Sequence, residues 1–242
     1  PTMLEEAWTM DEFIDVLKEV TQVDASGRVT RWGMTQMSKY RIYSDYSFIR
    51  SMGSSKDHPA FMAINAEGSG VDGYLNHPDT IKGFQVWQDL HQKYRVMPTQ
   101  QSPSMFENGL SVFYQAAGTA VGNLVENYPD IEWGIMPQPY FNTPIVHTGS
   151  FHWGITERSQ NKDAAIKFVQ FVTNPENSKR IHEVIRQIPN RISLFDTVET
   201  YQEYPMKVFK DSMLEWGQPR PVTPGFREYE NIMFNVLTDI IL

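Results

Sequence analysis

The sequence predicts an α/β fold, because strand-like and helix-like stretches alternate along it. Three stretches carry that reading. Thr9-Met10-Asp11-Glu12 opens a helix, and the strand-like run Val29 to Met34 follows it. Ile131 to Met136 reads as a second strand, ending in Pro137-Gln138-Pro139. Thr148 to Arg191 gives a turn at Gly149, a short apolar run from Phe151 to Ile155, and two helices in succession. The rest of the chain is organised around this last stretch.

Taken in order, the first helix has a capping box, with Thr9 as the cap and Glu12 reaching back to its N–H. Phe13, Val16, Leu17 and Val20 form its apolar face. Asp24 to Arg28 is a polar turn around Gly27. Lys39 to Tyr46, KYRIYSDY, is unusually aromatic. Aromatic faces stack on sugar rings while hydroxyls fix orientation, although tyrosines at a helix start are also commonly half-buried. Residues 53–76 carry Gly53, Pro59, Gly68, Gly70 and Gly73 and read as loops. Asp57 and Asp72 there lack the spacing of a calcium loop.

Asn76-His77-Pro78-Asp79 starts another helix, with Ile81, Phe84, Trp87, Leu90 and Tyr94 as its face and Pro98 beyond its end. Trp87 at this spacing is a core residue. In the organising stretch, Asn161 is placed to cap a helix bearing Ala164, Ala165, Phe168, Val169 and Val172. Asn174-Pro175 opens the next, which carries Ile181, Val184, Ile185 and Ile188. After Arg191 the chain reads as loop through Asp196. Met206, Phe209, Met213 and Trp216 then mark a helix. Ile232, Met233, Val236, Leu237, Ile240 and Ile241 mark the last one. It stops at Leu242 without glycine, proline or a basic last turn, and the chain starts at Pro1 without an initiator methionine. These ends predict a segment of a longer protein.

Composition narrows the function. The chain has 242 residues, 40% of them apolar, enough for one or two domains with a sizeable core. Its net charge of −8 gives no basic footprint, so no nucleic-acid partner is expected. With no cysteine, disulfides, thiol catalysis and cysteine-ligated metals are excluded. No apolar run of about 18 residues is present to span a membrane. Neither G-x-S-x-G nor H-E-x-x-H occurs, and no two of the six histidines stand four apart. His147 and His152 flank the organising turn but read as satisfied polar groups. Glu107, Glu126 and Glu132 could supply a glycosidase pair only if two faced one cleft. Gly118 to Gly122 before a helix lacks the Lys-Ser/Thr of a phosphate loop. No metal site and no cofactor are expected.

The ordered motifs resemble the family-1, sugar-binding group of extracellular solute-binding proteins that feed ABC importers. Similar to that family are the strand, N-K-D-A-A, F-V-Q-F-V and N-P-E run of the organising stretch, and Pro189-Asn190-Arg191 after it. So are Trp32-Gly33, Trp133-Gly134 with Pro137 and Pro139, and Thr9 to Phe13, where Met10 replaces the usual tryptophan. Ser104 to Gln115 resembles the family's short helix, glycine turn and strand, with Phe106, Gly109 and Tyr114 at matching places. The loop Ala116 to Ala120 follows without the tryptophan that often stacks on the sugar. Gln218 to Glu230 resembles the P-R-P motif, with Phe226 for its first tyrosine.

The resemblance implies a two-lobed, type II periplasmic-binding-protein fold. It places 1–148 and 203–242 in the C-terminal lobe and 149–202 in a crossover segment belonging to the N-terminal lobe, most of which would precede Pro1. The two helices of that segment would then expose apolar faces meant for a sheet. It implies a monomer outside the cytoplasm, periplasmic or lipid-anchored, that captures a sugar or oligosaccharide in the inter-lobe cleft. Closed protein would deliver the sugar to the transmembrane subunits of an ABC permease, without covalent chemistry. Arg220 would orient the ligand, since a guanidinium fork suits vicinal hydroxyls or a carboxylate; it could equally bridge two loops by an ion pair. Gly149, Ser150 and Phe151 at the turn, Tyr40 and Tyr43 in the aromatic run, and Gly118 and Thr119 in the ligand-loop position complete the expected site. A polyamine, a phosphorylated solute or a carbohydrate-active enzyme are the alternatives. A cleft rich in acids would favour the polyamine.

Overall fold

A computed structural model describes residues 3–36, 41–149, 152–185 and 188–242. The first helix, α1 (Met10–Val20), forms as its cap requires. The Thr9 hydroxyl accepts the Glu12 N–H at 3.3 Å, and the Glu12 carboxylate accepts the Thr9 N–H at 2.8 Å. Met10, Phe13, Ile14 and Leu17 are its buried side chains. The strand β1 (Gln22–Val23) leads into the Asp24 turn. There one Asp24 oxygen accepts the N–H groups of Ser26 and Arg28, and Gly27 takes a left-handed φ of +80°. β2 (Val29–Gln36) runs antiparallel to β1 and parallel to β3 (Ser111–Gln115), so it is the central strand. A Cβ on Gly33 would lie 2.8 Å from the Leu17 carbonyl oxygen, so glycine lets β2 approach α1 this closely.

Three further helices close the core: α2 (Arg41–Arg50), α4 (Pro78–Gln92) and α10 (Phe226–Asp239). Leu17, Met34, Tyr46, Ile49, Trp87, Leu90, Met233 and Leu237 lie in one buried cluster. The one-turn helix α3 (Pro59–Met62) precedes α4. A second, parallel pair, β4 (Val146–Thr148) with β5 (Gly217–Pro219), sets His147 opposite Gln218. The face predicted for α4 is rotated: Ile81 is 56% exposed, and Thr80, Gly83 and His91 are buried with Trp87 and Leu90. Gly83 seats the helix closely, since a Cβ there would stand 3.0 Å from the Ile49 side chain. The expected short helix within 104–110 is a series of turns ending at Gly109, whose φ is +70°.

The contacts group 1–117, 136–148 and 212–242 into one compact unit, and 118–135 and 149–211 into another. Beside the expected segments 1–148, 149–202 and 203–242, the smaller unit thus also holds 118–135 and 203–211. It contains α5 (Thr119–Asn127), α6 (Lys162–Thr173), α7 (Pro175–Ile185), α8 (Ile192–Thr197) and the first part of α9 (Met206–Trp216). Leu124, Leu194, Phe195, Val198, Tyr201 and Val208 are its buried apolar side chains.

Several local expectations change here. The run at 131–135 is no strand; its Ile135 N–H bonds the Tyr204 hydroxyl at 2.5 Å, and no ladder partner is present among the described residues. Residues 152–155 likewise pair with no strand, and Phe151 lies outside the described residues. The stretch after Arg191 is the six-residue α8, too short for periodicity to reveal. Asn161 stands at the N-cap of α6 without a side-chain bond, whereas the Asn174 side chain caps α7 by accepting the Asn177 N–H at 2.8 Å. None of the α6 residues is buried, and Phe168 and Phe171 are exposed. In α7, Val184 is exposed while Ser178 and His182 are buried, with the His182 ring centroid 5.3 Å from that of Tyr201. The side chain of Ile185 lies outside the described residues.

Candidate functional site

In the larger unit, α2, β4, β5 and the start of α10 gather two arginines, a histidine and several aromatic rings. Helical spacing puts Tyr43, Tyr46 and Arg50 on one side of α2. Tyr46 is fully buried; burial, and then the neighbouring Tyr229 phenol, push its own phenol well above the usual range. Burial likewise raises Tyr229, to about 12.

Arg50 is only 4% exposed. Its Nε donates to the Phe61 carbonyl at 2.6 Å, and its Nη1 to the Pro219 carbonyl at 2.9 Å and to His147 Nε2 at 3.0 Å. His147 Nδ1 lies 3.0 Å from the Ile42 carbonyl. An arginine can only donate and a carbonyl can only accept, so the ring is neutral with its hydrogen on Nδ1. Burial first, and the Arg50 cation second, hold its pKa down to about 3.

Arg220 follows β5 and lies over two rings. Its guanidinium carbon is 3.7 Å from the Tyr43 ring centroid and 5.1 Å from that of Phe226. Such stacking is worth roughly 0.5–2 kcal/mol and fixes the guanidinium plane. Glu230 supplies a counter-charge, with Oε1 3.6 Å from Arg220 Nη1. The two expectations for Arg220, a displayed fork and a loop-bridging ion pair, are therefore combined in one side chain.

The structure thus brings Tyr43 and Arg220 together. Gly118, Thr119 and Gly149 belong to the smaller unit. Gly118 is the N-cap of α5 with a right-handed helical backbone, and Thr119 is the first residue of that helix. Gly149 is exposed just after β4. Tyr40, Ser150 and Phe151 lie outside the described residues. Sequence reasoning passed over Arg50, although its spacing from Tyr43 and Tyr46 on one helix face was readable.

A histidine cluster stands on the segments before α3 and α4. His58, His77 and Asp79 bring ligand-capable atoms within 4.8 Å of one another. Each histidine stands before a proline and caps a helix: Nδ1 of His58 accepts the Ala60 N–H, and Nδ1 of His77 accepts the Asp79 N–H, both at 3.2 Å. Those bonds occupy the Nδ1 lone pairs and leave the neutral rings with Nε2–H donors. His58 Nε2 lies 3.4 Å from the Asp79 carboxylate, as a donor would. The cluster is therefore organised for capping rather than for coordination.

Comparison with known proteins comes to the same architecture. The sequence matches a family model described as bacterial extracellular solute-binding protein over residues 1–208. The fold is similar to that of the maltotriose-bound maltose/maltodextrin-binding domain of Bdellovibrio bacteriovorus, with a TM-score of 0.72 at 18% identity over 98% of this chain and 62% of that one. It is similar to maltose-bound MalE3 of T. maritima, with a TM-score of 0.76 at 19% identity over 99% and 63% of the two chains. An ABC substrate-binding protein of Listeria monocytogenes in complex with cycloalternan gives 0.74 at 17% identity, over 100% and 59%. The α/β chain thus has the fold of periplasmic sugar-binding proteins and spans about three fifths of the length of these relatives. Among the described residues, no helix is long and apolar enough to cross a membrane.

Proposed function

Because the chain belongs to the bacterial extracellular solute-binding proteins, we propose that it is the substrate-binding component of an ABC importer and captures a sugar or oligosaccharide. The observation that carries this reading is the seat of Arg220 between Tyr43 and Phe226. Two aromatic faces hold the guanidinium plane, so its N–H donors keep fixed directions, as recognition of vicinal hydroxyls requires. The solved relatives hold maltotriose, maltose and cycloalternan, which supports a saccharide as the ligand class. Gly118, Thr119 and Gly149, with Tyr40, Ser150 and Phe151, complete the proposed ligand contacts. Residues 1–148 and 203–242 are assigned to the C-terminal lobe and 149–202 to the N-terminal one.

In this reading the protein binds and releases its ligand without turnover. It acts outside the cytoplasm as a monomer, free in a periplasm or lipid-anchored, and hands the sugar to membrane permease subunits. The test is a thermal-shift screen of the full-length protein against mono- and oligosaccharides. A ligand at 100 times its Kd adds about 2.7 kcal/mol of stability. A rise with one sugar that Arg220→Ala abolishes, with the sugar recovered intact, is the expected result. No rise with any sugar would overturn the saccharide assignment, and consumption of the sugar would overturn the non-enzymatic one.

A further inference from the structure

A pocket of about 230 Å³ in the larger unit is lined by Arg50, Lys56, Arg220, Asn65, Gln218 and Phe61, among others. None of its lining residues is a carboxylate. Three of them are cationic: Arg50, Lys56 and Arg220. The charge of Arg50 sharpens the point. It is buried, yet its hydrogen bonds go to two neutral carbonyls and a neutral imidazole. Among the described residues no carboxylate pairs with it, and its Nη2 has no hydrogen-bond partner. A buried cation without a counter-ion is costly, and an anion in the adjoining pocket would relieve that cost. Arg220 Nε is also buried without a hydrogen-bond partner, and the Glu230 that faces Arg220 Nη1 is shared with Arg227, 3.8 Å away. Lys56 is exposed at the same pocket, without an ion pair among the described residues.

We propose that this pocket is an oxyanion site that takes one carboxylate or phosphate group of a small solute. The Arg50 Nε and Nη1 hydrogens are already taken, so Arg50 offers its charge and its Nη2 hydrogens, and the Arg220 guanidinium and the Lys56 ammonium add two further charges. The Asn65 and Gln218 amides can donate beside them. A water's share of the liquid is about 30 Å³, so the pocket has room for a carboxylate or phosphate group. A cationic polyamine would meet three like charges there. The site shares Arg220 with the proposed sugar contacts, but anion binding there does not require a neutral sugar.

The test uses calorimetric titration of the full-length protein at low salt with inorganic phosphate, D-glucuronate and glucose 6-phosphate, and with neutral maltose as control. At least one of the three anions saturates the wild type, and 0.5 M NaCl weakens it. Lys56→Gln weakens the anion roughly tenfold and Lys56→Glu abolishes its binding, in line with loss and reversal of a charge at the anion. Phosphate alone as the tightest probe identifies a free inorganic ion as the occupant; a tighter sugar acid or ester identifies an anionic sugar. Lys56 is exposed, and a melting curve of Lys56→Glu matching the wild type confirms an intact fold. Absence of binding by all three anions, or equal affinity in Lys56→Glu, overturns the proposal. A maltose signal indifferent to Lys56 keeps the two readings separate: either can fail while the other stands.

Discussion

Arg50 on α2 donates from Nη1 to Nε2 of His147, 97 residues further along the chain, at 3.0 Å. This bond needs the imidazole neutral. A proton on Nε2 would turn an acceptor into a donor facing a guanidinium, inside the protein. The depressed pKa of His147 and the burial of Arg50 are therefore two sides of one arrangement.

That arrangement makes stability depend on pH. The pKa of His147 falls from the usual 6.5 to about 3 on folding. Above 6.5 both folded and unfolded chains hold the ring neutral. Between those values the unfolded chain binds a proton that the folded one refuses, so stability is lost as pH falls, by up to about 1.4 kcal/mol per pH unit. Urea unfolding at pH 7.5 and pH 5.0 should give a difference of roughly 2 kcal/mol from this residue. His147→Asn, compared at the same two pH values, should lose that part of the difference. An unchanged pH dependence in the variant would show that His147 is not its source.

Replacing Arg50 with lysine should cost more than a charge-conserving change suggests. The guanidinium holds the Phe61 carbonyl, the Pro219 carbonyl and His147 at once. An ammonium is a single point and cannot span all three directions. Bonds from charged donors are worth roughly 1.5–3 kcal/mol each, so Arg50→Lys should lose about 2–4 kcal/mol in denaturant unfolding. A loss below about 0.5 kcal/mol, the scale of an ordinary surface change, would mean that these bonds contribute little.

The cap of α1 is a smaller, local test. Thr9→Ala removes the side-chain acceptor of the Glu12 N–H and should cost about 1 kcal/mol. The Glu12 carboxyl titrates below its ordinary value because of the Thr9 hydroxyl first and the Thr9 N–H second. In the variant it should move back towards that value, which carboxyl chemical shifts during an acid titration would report. Loss of stability without that movement would locate the effect elsewhere.

These tests also mark which parts of the structure were legible in the sequence. The Thr9 cap was, because a capping box needs only residues three apart. Trp87 was, because burial on α4 follows helical spacing. Arg220 and Tyr43 were each singled out, but their contact was not readable, since it depends on where α2 and β5 lie. Arg50 sits on the same face of α2 as Tyr43, and that spacing could have found it. The run at 131–135 looked like a strand because its side chains suit one; a strand also needs a neighbour, which composition does not supply. Ile81 looked buried by periodicity, but the close seat of Gly83 turned α4 and exposed it.

Gly33 gives the sharpest test of packing between α1 and the central strand. A Cβ there would meet the Leu17 carbonyl oxygen at 2.8 Å and the Thr21 Oγ1 at 2.9 Å. The Thr21 hydroxyl donates to that same carbonyl at 2.6 Å, so both atoms belong to the last turn of the helix. Gly33→Ala should therefore destabilise by about 1–3 kcal/mol through overpacking, despite the better strand propensity of a residue with a side chain. Trimming Thr21 to alanine in the same chain removes only one of the two obstacles. The remaining one is backbone, so the double variant Gly33→Ala with Thr21→Ala should not recover the stability of Thr21→Ala alone. Full recovery would mean that the side chain, rather than the backbone of α1, sets the distance to β2.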